Sequence, residues 1–259
     1  MVKGLYTAYT GMINEQNRMD IMTNNLANAS TVGYKKEGST SQSFDDVLTV
    51  KIKDQSVGMR NVQRLGVKNP GVKIGENYTD YSQGSYRITG NTYDLALSGE
   101  GFFAIEFTNK AGETDTKYTR AGQFTLNKDG YLVTEEGDYV LDTQNRRIRL
   151  NTLIDSSITD DGTIYQNGQA VAKIQVTDFE DYDYLEKYGE TYYQPIQGAK
   201  TIAAKAQVKS GYLEMANVQI VSEMVNLISI TRAYESNQKV VQTIDDTLDV
   251  AVNQIGRVQ

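Results

Sequence analysis

The fold is decided by the stretch that reads IVSEMVNLISITRAYESNQKVVQTIDDTLDVAVNQI from Ile220 to Ile255. An apolar or aromatic residue stands at every seventh position, namely Ile220, Leu227, Tyr234, Val241, Leu248 and Ile255. The position three residues later is apolar in four of six turns and polar in two: Glu223, Ile230, Asn237, Ile244, Ala251 and Val258. This heptad repeat predicts a long helix with a coiled-coil seam.

The first residues carry the same seven-residue spacing at Leu5, Met12, Met19 and Leu26. It predicts a first helix from about Lys3 to Ala27, which ends in a polar run that closes with a glycine. Both ends of the chain are therefore expected to be helices whose apolar seam needs a partner. The partner could be the other terminal helix in a closed monomeric bundle. The polar seam residues Glu223 and Asn237 favour instead a contact with other chains, since such residues fix register.

The pattern changes twice between the two helices. Residues 35–75 are rich in Gly and Ser and predict an extended or loop segment that is ordered by assembly. Residues 76–215 have a period of two and frequent turn signals such as Asn167-Gly168, which predict an all-β, hairpin-rich domain. The fold class is thus α+β, in which residues 1–34 and 216–259 form one discontinuous coiled-coil layer and the middle domain is all-β.

Composition removes most catalytic chemistries. The 259 residues include no His and no Cys, so the commonest general base, thiol nucleophiles and the usual structural zinc sites are absent. We predict no catalytic residue, no cofactor and no metal. The formal charge of −7 argues against a nucleic-acid partner, because phosphate binding needs clusters of Lys and Arg.

No segment of the sequence predicts a membrane span or a cleaved signal peptide. No stretch approaches the roughly 18 consecutive apolar residues of a transmembrane helix. Polar residues such as Thr7, Asn14 and Glu15 interrupt the N-terminus, so an apolar signal core of the usual length is missing. We expect no direct membrane insertion, and any export would use an uncleaved N-terminus.

Two motifs have an ordinary structural interpretation that outweighs the functional one. Residues 99–104 fit a G-x-G-x-x-A dinucleotide-binding turn, but the following residues predict a strand where that turn needs a helix. Residues 178–186 hold five carboxylates in nine positions, but they lack the glycine and the terminal glutamate of a calcium-binding loop. We interpret the first as a tight turn and the second as a solvated acidic loop.

Four segments of the chain resemble the bacterial flagellar rod and hook proteins. The first is the run from Thr23 to Lys35, in which the characteristic residues are Asn24, Asn25, Leu26, Ala27, Asn28, Thr31, Gly33 and Tyr34. The others are residues 89–103, 118–124 and 232–237, and all four occur in the family's order. The chain resembles this family over nearly its whole length.

The resemblance implies a structural subunit of the flagellar basal-body rod. Such a subunit is expected to be exported through the flagellar export apparatus, to form a helical homo-oligomer with other rod and hook subunits, and to transmit torque from motor to hook. The heptad residues at both ends are the predicted self-assembly sites. Residues 44–48 resemble a stretch of distal-rod proteins and favour the distal rod, with the proximal rod as the alternative.

Two functions of other classes remain as alternatives. A secreted surface adhesin with a coiled-coil stalk would also need terminal heptads. A cell-wall hydrolase could use the carboxylates of the acidic loop, since a carboxylate-based mechanism does not require His.

Overall fold

The computed structural model describes residues 2–52, 62–109 and 112–255, and it is an α+β structure divided into two compact units. Unit 1 comprises the described residues within Met1–Leu26, Glu37–Asp80 and Gln219–Gln259. Unit 2 comprises Ala27–Lys36 and the described residues of Tyr81–Val218. The chain therefore passes from one unit to the other four times.

Unit 1 consists of the two long terminal helices and four strands. Its elements are α1 (Val2–Ala27), β1 (Glu37–Ser43), β2 (Val47–Ile52), β3 (Val62–Lys68), β4 (Val72–Thr79) and α2 (Ile220–Val250), followed by a π-helical turn at Ala251–Ile255. Strand β1 pairs with β4 and β2 with β3, both antiparallel. The described part of the segment predicted as extended or loop, 35–75, thus contains three paired strands and the start of a fourth. Most of this segment belongs to the unit that holds the helices.

One polar face of α1 contacts the strands of unit 1. Asn14 exchanges hydrogen bonds of 3.1 and 3.2 Å with the Ser41 hydroxyl, and the Thr7 hydroxyl donates to the Pro70 carbonyl at 3.2 Å. At the end of the helix, Asn25 Nδ2 donates to the Glu37 backbone carbonyl at 2.7 Å, and Asn25 Oδ1 accepts from the Glu37 backbone N–H at 2.9 Å. The fully buried Asn25 side chain therefore substitutes for a strand partner at the first residue of β1.

A second face of α1 approaches α2, and the helices run antiparallel. Gly4 lies beside Ile244, and Gly11 lies beside Asn237, whose amide nitrogen would be 2.9 Å from a Cβ at residue 11. Farther along, Glu15 and Arg18 border the same cleft as Ile230 and Ala233. A Cβ at residue 4 would make an ordinary van der Waals contact with Ile244, whereas one at residue 11 would displace the Asn237 amide, so only Gly11 is needed for the close approach.

Unit 2 is built from sixteen strands, all of whose ladders are antiparallel. They are β5 (Tyr86–Ile88), β6 (Leu95–Ser98), β7 (Phe102–Thr108), β8 (Thr114–Thr119), β9 (Phe124–Leu126), β10 (Leu132–Thr134), β11 (Tyr139–Val140), β12 (Ser156–Ile158), β13 (Thr163–Gln166), β14 (Gln169–Lys173), β15 (Val176–Phe179), β16 (Leu185–Tyr188), β17 (Tyr192–Pro195), β18 (Thr201–Ala203), β19 (Gln207–Ser210) and β20 (Tyr212–Glu214), with a 3₁₀ helix at Tyr182–Tyr184.

Nine of these strands form one sheet whose main path runs β16-β17-β8-β7-β11-β10-β9, while β15 joins β7 and β18. Strands β12, β13 and β14 form a second sheet, and the last two strands return to early ones, β19 to β6 and β20 to β5. The end of the chain's β region is therefore hydrogen-bonded to its beginning.

The central strand β7 separates two apolar clusters because adjacent residues of a strand face opposite sides. Phe103 belongs to a mainly aliphatic cluster that includes Leu95 and a second aromatic residue, Phe124. Phe102 belongs to a second, aromatic cluster on the other side with Tyr193. Both Phe residues are fully buried, so the sheet is covered on both faces.

The expected element types are confirmed at both ends and in the middle. Helix α1 ends at Ala27 as predicted. The Asn167-Gly168 turn joins β13 to β14, and both residues have positive φ, 51° and 75°, as a tight hairpin turn requires. Among the described residues, no helix is long and apolar enough to cross a membrane.

Replacement of Asn25 by Ala should destabilise unit 1 by about 2–4 kcal/mol, because both backbone groups of Glu37 lose their partner in a buried position. Hydrogen exchange of the β1–β4 ladder measures this loss. The control is Asn17→Ala on the exposed side of α1, which should change stability by less than about 0.5 kcal/mol. Equal protection of β1 in both variants would contradict the role given to Asn25.

Candidate functional site

A buried carboxylate inside unit 2 joins segments that are far apart in the sequence. Glu214, the last residue of β20, has no exposed surface. Its Oε1 accepts from Lys35 Nζ at 2.7 Å and from the Gly84 amide at 3.0 Å, and its Oε2 accepts from Arg120 at 3.3 Å. The side chains of Lys35 and Arg120 expose only 1 % and 4 % of their surface, so the three charges are isolated from water.

Further contacts surround the three charges, although the buried Arg120 Nε has no hydrogen-bond partner within the described residues. Lys35 Nζ also donates to the Ser82 carbonyl at 2.8 Å, and the Arg120 guanidinium lies 5.3 Å from the Phe102 ring centroid. Removal of one partner from a buried ion pair leaves an uncompensated charge, which costs more than the pair contributes by forming. We call Gly33, Lys35, Gly84, Arg120 and Glu214 the junction.

Gly33 allows the N-terminal segment to reach the junction. Its φ of +69° lies in the left-handed region, and a Cβ there would be 2.3 Å from the Ala121 amide nitrogen. The Gly33 amide donates to the Glu214 carbonyl at 2.8 Å, next to a bridge between Val32 and Met215. Only glycine combines this backbone conformation with so close an approach.

The residues that carry the family resemblance have distinct positions. Asn24 and Ala27 are exposed, Leu26 is half-buried, and the Asn25 side chain holds Glu37. The buried Asn28 accepts from the Thr31 hydroxyl at 3.2 Å and closes the turn after α1. Tyr34 is fully buried, with Lys187 Nζ 4.1 Å from its ring centroid. The motif thus ends α1 and leads the chain into the junction.

The predicted self-assembly residues lie on one stripe of each terminal helix. Ile220 is 46 % exposed in the single chain. The other members with a described side chain are half-buried, namely Leu5, Met12, Met19, Leu26, Leu227, Tyr234, Val241 and Leu248. The polar seam residue Glu223 is buried, as is Ile230. The side chain of Ile255 and the whole of Val258 lie outside the described part of the structure.

Other faces of the same helices expose apolar groups. On α2, Val221, Met224, Val225 and Ile228 recur at helical spacing, and Val221 and Val225 are 76 % and 60 % exposed. On α1, Tyr6, Tyr9 and Ile13 form a similar stripe, with Tyr6 62 % exposed. Contiguous exposed apolar patches mark interaction surfaces. Sequence reasoning missed these faces because the heptad positions were the stronger signal.

The glycine motif at residues 99–104 and the acidic loop at residues 178–186 both have structural roles. Gly99 and Gly101 have φ of +114° and +139° and precede strand β7, so the helix that a dinucleotide turn needs is not formed there. In the acidic loop, Asp178 accepts from the Tyr182 hydroxyl at 2.8 Å, and Asp181 caps the 3₁₀ helix. Within the described residues, no group of three or more Asp or Glu side chains is arranged to hold a metal ion.

Family models match three parts of the chain. Residues 5–35 match the model described as flagella basal body rod protein, residues 96–168 the flagellar hook protein FlgE/F/G D1 domain, and residues 209–255 the flagellar basal body rod FlgEFG protein C-terminal region. Each match contains one charged residue of the junction: the first contains Lys35, the second Arg120 and the third Glu214. The junction therefore connects all three regions.

Whole proteins are similar over almost their full length. The flagellar basal-body rod protein FlgG of Bacillus subtilis is 34 % identical, covering 98 % of this chain and 99 % of the relative. The flagellar basal-body rod protein FlgF of Caulobacter vibrioides is 32 % identical with both chains fully covered. The flagellar hook-basal body complex protein FlhO of B. subtilis is 30 % identical, again with both fully covered.

Gly33→Ala should destabilise unit 2 more than Gly90→Ala. Gly90 has nearly the same φ, +72°, but no atom lies within 4 Å of its would-be Cβ, so it measures the backbone cost alone, roughly 1–2 kcal/mol. At Gly33 the clash with Ala121 should add about 1–3 kcal/mol. Urea unfolding followed by tyrosine fluorescence compares the two variants, and equal losses would mean that the close approach is unimportant.

Glu214→Gln should cost unit 2 about 3–5 kcal/mol, since two buried cations lose their counter-charge. Glu106→Gln is the control, because Glu106 forms a bidentate pair with Arg147 at 2.7 and 2.8 Å near the surface. Loss of this exposed pair should cost less than about 1 kcal/mol. Hydrogen exchange of β5 and β20 is the measurement. Similar effects of both substitutions would contradict the special position of Glu214.

Proposed function

The chain belongs to the family of flagellar basal-body rod proteins and is a structural subunit of the rod, not an enzyme, and from this premise we propose how it assembles. A structural rod protein is a different class of molecule from the surface adhesin and the cell-wall hydrolase that the sequence alone left open.

Assembly proceeds through contacts between different surfaces of successive copies. A surface that binds a different surface on the next copy generates a helix when repeated, unless the rotation closes a ring. The product in this proposal is a helical axial tube that contains further rod and hook subunits and transmits torque from motor to hook. Delivery uses the flagellar export apparatus without cleavage of a signal peptide.

The terminal helices supply the apolar part of these contacts. The predicted coiled-coil layer forms from residues 1–34 and 216–259 of neighbouring copies, and the segment 35–75 takes part in the same assembly. Eight of the described seam residues are half-buried in the single chain, in which α1 and α2 run antiparallel. The exposed stripe of Val221, Met224, Val225 and Ile228 then remains for a neighbouring copy, and burying it contributes favourable free energy.

The observation that carries this proposal is the combination of full-length similarity with an exposed apolar stripe on a terminal helix. A stripe that stays exposed in one chain contributes no burial free energy until another surface covers it. The heptad residues from Leu5 to Leu26 and from Ile220 to Ile255 stay part of the proposal as self-assembly residues of the coiled-coil layer.

Val225→Asp should abolish rod assembly while the free subunit keeps its stability. The side chain is 60 % exposed in the single chain, so a carboxylate stays hydrated there, but it would be desolvated in the assembled contact. Swimming in soft agar and electron microscopy of isolated basal bodies measure assembly, and urea unfolding measures stability.

Gln238→Asp is the matched control, because it introduces the same side chain at an exposed polar position of α2. That strain should swim. Leu248→Asp should impair both assembly and unit 1, because the residue is half-buried within the chain. Normal swimming of the Val225→Asp strain would overturn the assignment of this stripe.

A further inference from the structure

Unit 2 carries two surfaces of opposite charge on different elements. The segment 178–190, which includes the 3₁₀ helix and β16, has six carboxylates and one lysine, a net charge of −5. The segment 143–154, which follows β11, has three arginines and no acidic residue, a net charge of +3. We call these the acidic edge and the arginine segment. In a chain of net charge −7 the second is a local exception.

The acidic edge lies at one end of the large sheet. Strand β16 is the first strand of the path and pairs only with β17 among the described strands. An edge strand of this kind presents backbone groups that can accept another chain. Asp183 and Glu186 are exposed there, and neither has an ion-pair partner in the described ranges. Their mutual repulsion is therefore uncompensated in the single chain.

Apolar and aromatic groups accompany these charges. Tyr184 and Tyr188 are both more than 40 % exposed, and Tyr184 lines a cleft of about 360 Å³ with Glu180, Asp181, Gly198 and Lys200. Tyrosine faces and carboxylates together are the surface that an arginine guanidinium binds best, through stacking and paired hydrogen bonds. The Tyr188 ring already holds a cation of its own chain, Lys117, so Tyr184 is the ring offered to a partner.

The arginine segment is held in a defined geometry next to strands β10 and β11. Arg147 bridges to Leu141 and Arg149 to Tyr131, and Arg147 is fixed by Glu106. Arg146 is exposed and reaches Asp142 only at 3.4 Å. Arg149 is exposed and, in the part of the chain that the structure covers, pairs with no carboxylate. Nearby Leu153 is 92 % exposed, so this surface also offers an apolar group.

We propose that the acidic edge of one copy binds the arginine segment of a second copy. The occupant is a second copy because the matching chemistry, guanidinium and Leu against carboxylate and Tyr, is present in the same chain. The two surfaces differ, so the contact is heterologous and its repetition extends an assembly. The inference rests on the proposed function and adds a contact between β domains to the contact between helices.

Charge reversal on each surface tests the contact. Variant A is Asp183→Lys with Glu186→Lys, and variant B is Arg146→Glu with Arg149→Glu; Asp181 and Arg147 are left intact because they support local structure. Variant A reduces the charge of the acidic edge from −5 to −1, and variant B changes that of the arginine segment from +3 to −1. Each variant alone should therefore associate more than about tenfold more weakly in low salt. Sedimentation of the full-length protein and swimming are the measurements. Unfolding midpoints should fall only slightly, because Arg146 and Arg149 each lose one exposed contact, to the Asp142 carboxylate and to the Asp129 carbonyl.

Two further arms identify the partner. The chain that carries A and B together should associate and swim again, because the introduced lysines of one surface then face the introduced glutamates of the other. A mixture of A chains and B chains should also associate, which a contact within one chain would not allow. Lys205→Glu, an exposed lysine outside both surfaces, is the control for the charge change itself and should behave as the parent chain.

The proposal is overturned if A and B each associate and swim as the parent does, or if the combined and mixed arms fail to restore what the single variants lose. Its failure is distinguishable from failure of the proposed function. If variants A and B assemble normally and the Val225→Asp variant does not, only the charged contact is disproved. If A and B fail to assemble and Val225→Asp assembles normally, only the role of the helical stripe is disproved.

Discussion

The buried carboxylate of Glu214 is the constraint on which the arrangement of unit 2 depends. It is completely shielded from water and has two cationic partners, one 179 residues and one 94 residues away along the chain. A buried ion cluster is weak evidence for stability, but it is specific, because any fold that separates the three residues leaves a desolvated charge. The segment after α1 and the strand before α2 must therefore meet at Glu214. The conformation of Gly33 follows from this requirement.

Each terminal helix divides its surface between partners of different chemistry. Helix α1 presents Asn14 and Asn25 to strands, two glycines to α2, and Tyr6 and Tyr9 to solvent. The polar contacts fix where the helix lies, since each buried amide must find its hydrogen-bonding group. The apolar residues that remain exposed are then presented in a fixed orientation. A helix of 26 residues can serve three surfaces because its side chains project all around it.

The sequence predicted the elements better than their contacts. Heptad spacing identified both helices, since an apolar residue at every seventh position is typical of a helix that buries one stripe, and the Asn167-Gly168 signal located a hairpin. Periodicity could not say that Gly11 lies beside Asn237, because the partner of an apolar stripe depends on the whole fold. Lys35 and Glu214 were missed as a pair, since isolated charged residues in strands usually face solvent and nothing local marks a partner 179 residues away.

The size of the exposed stripe explains why such a subunit would add to a growing end and stay monomeric when free. Full burial of an aliphatic side chain contributes about 1.5–3 kcal/mol, so four half-exposed residues contribute roughly 3–6 kcal/mol. Loss of translational and rotational freedom on association costs about 4–15 kcal/mol. One neighbour covering the stripe therefore supplies too little, and a charged contact between β domains adds only modestly because salt screens it. At the end of a helical assembly a subunit touches several neighbours, and the loss of freedom is incurred once for all of them. In the proposed assembly, weak individual surfaces thus confine polymerisation to the tip, whereas the strong contacts of the molecule, at Glu214 and Asn25, are kept within the chain.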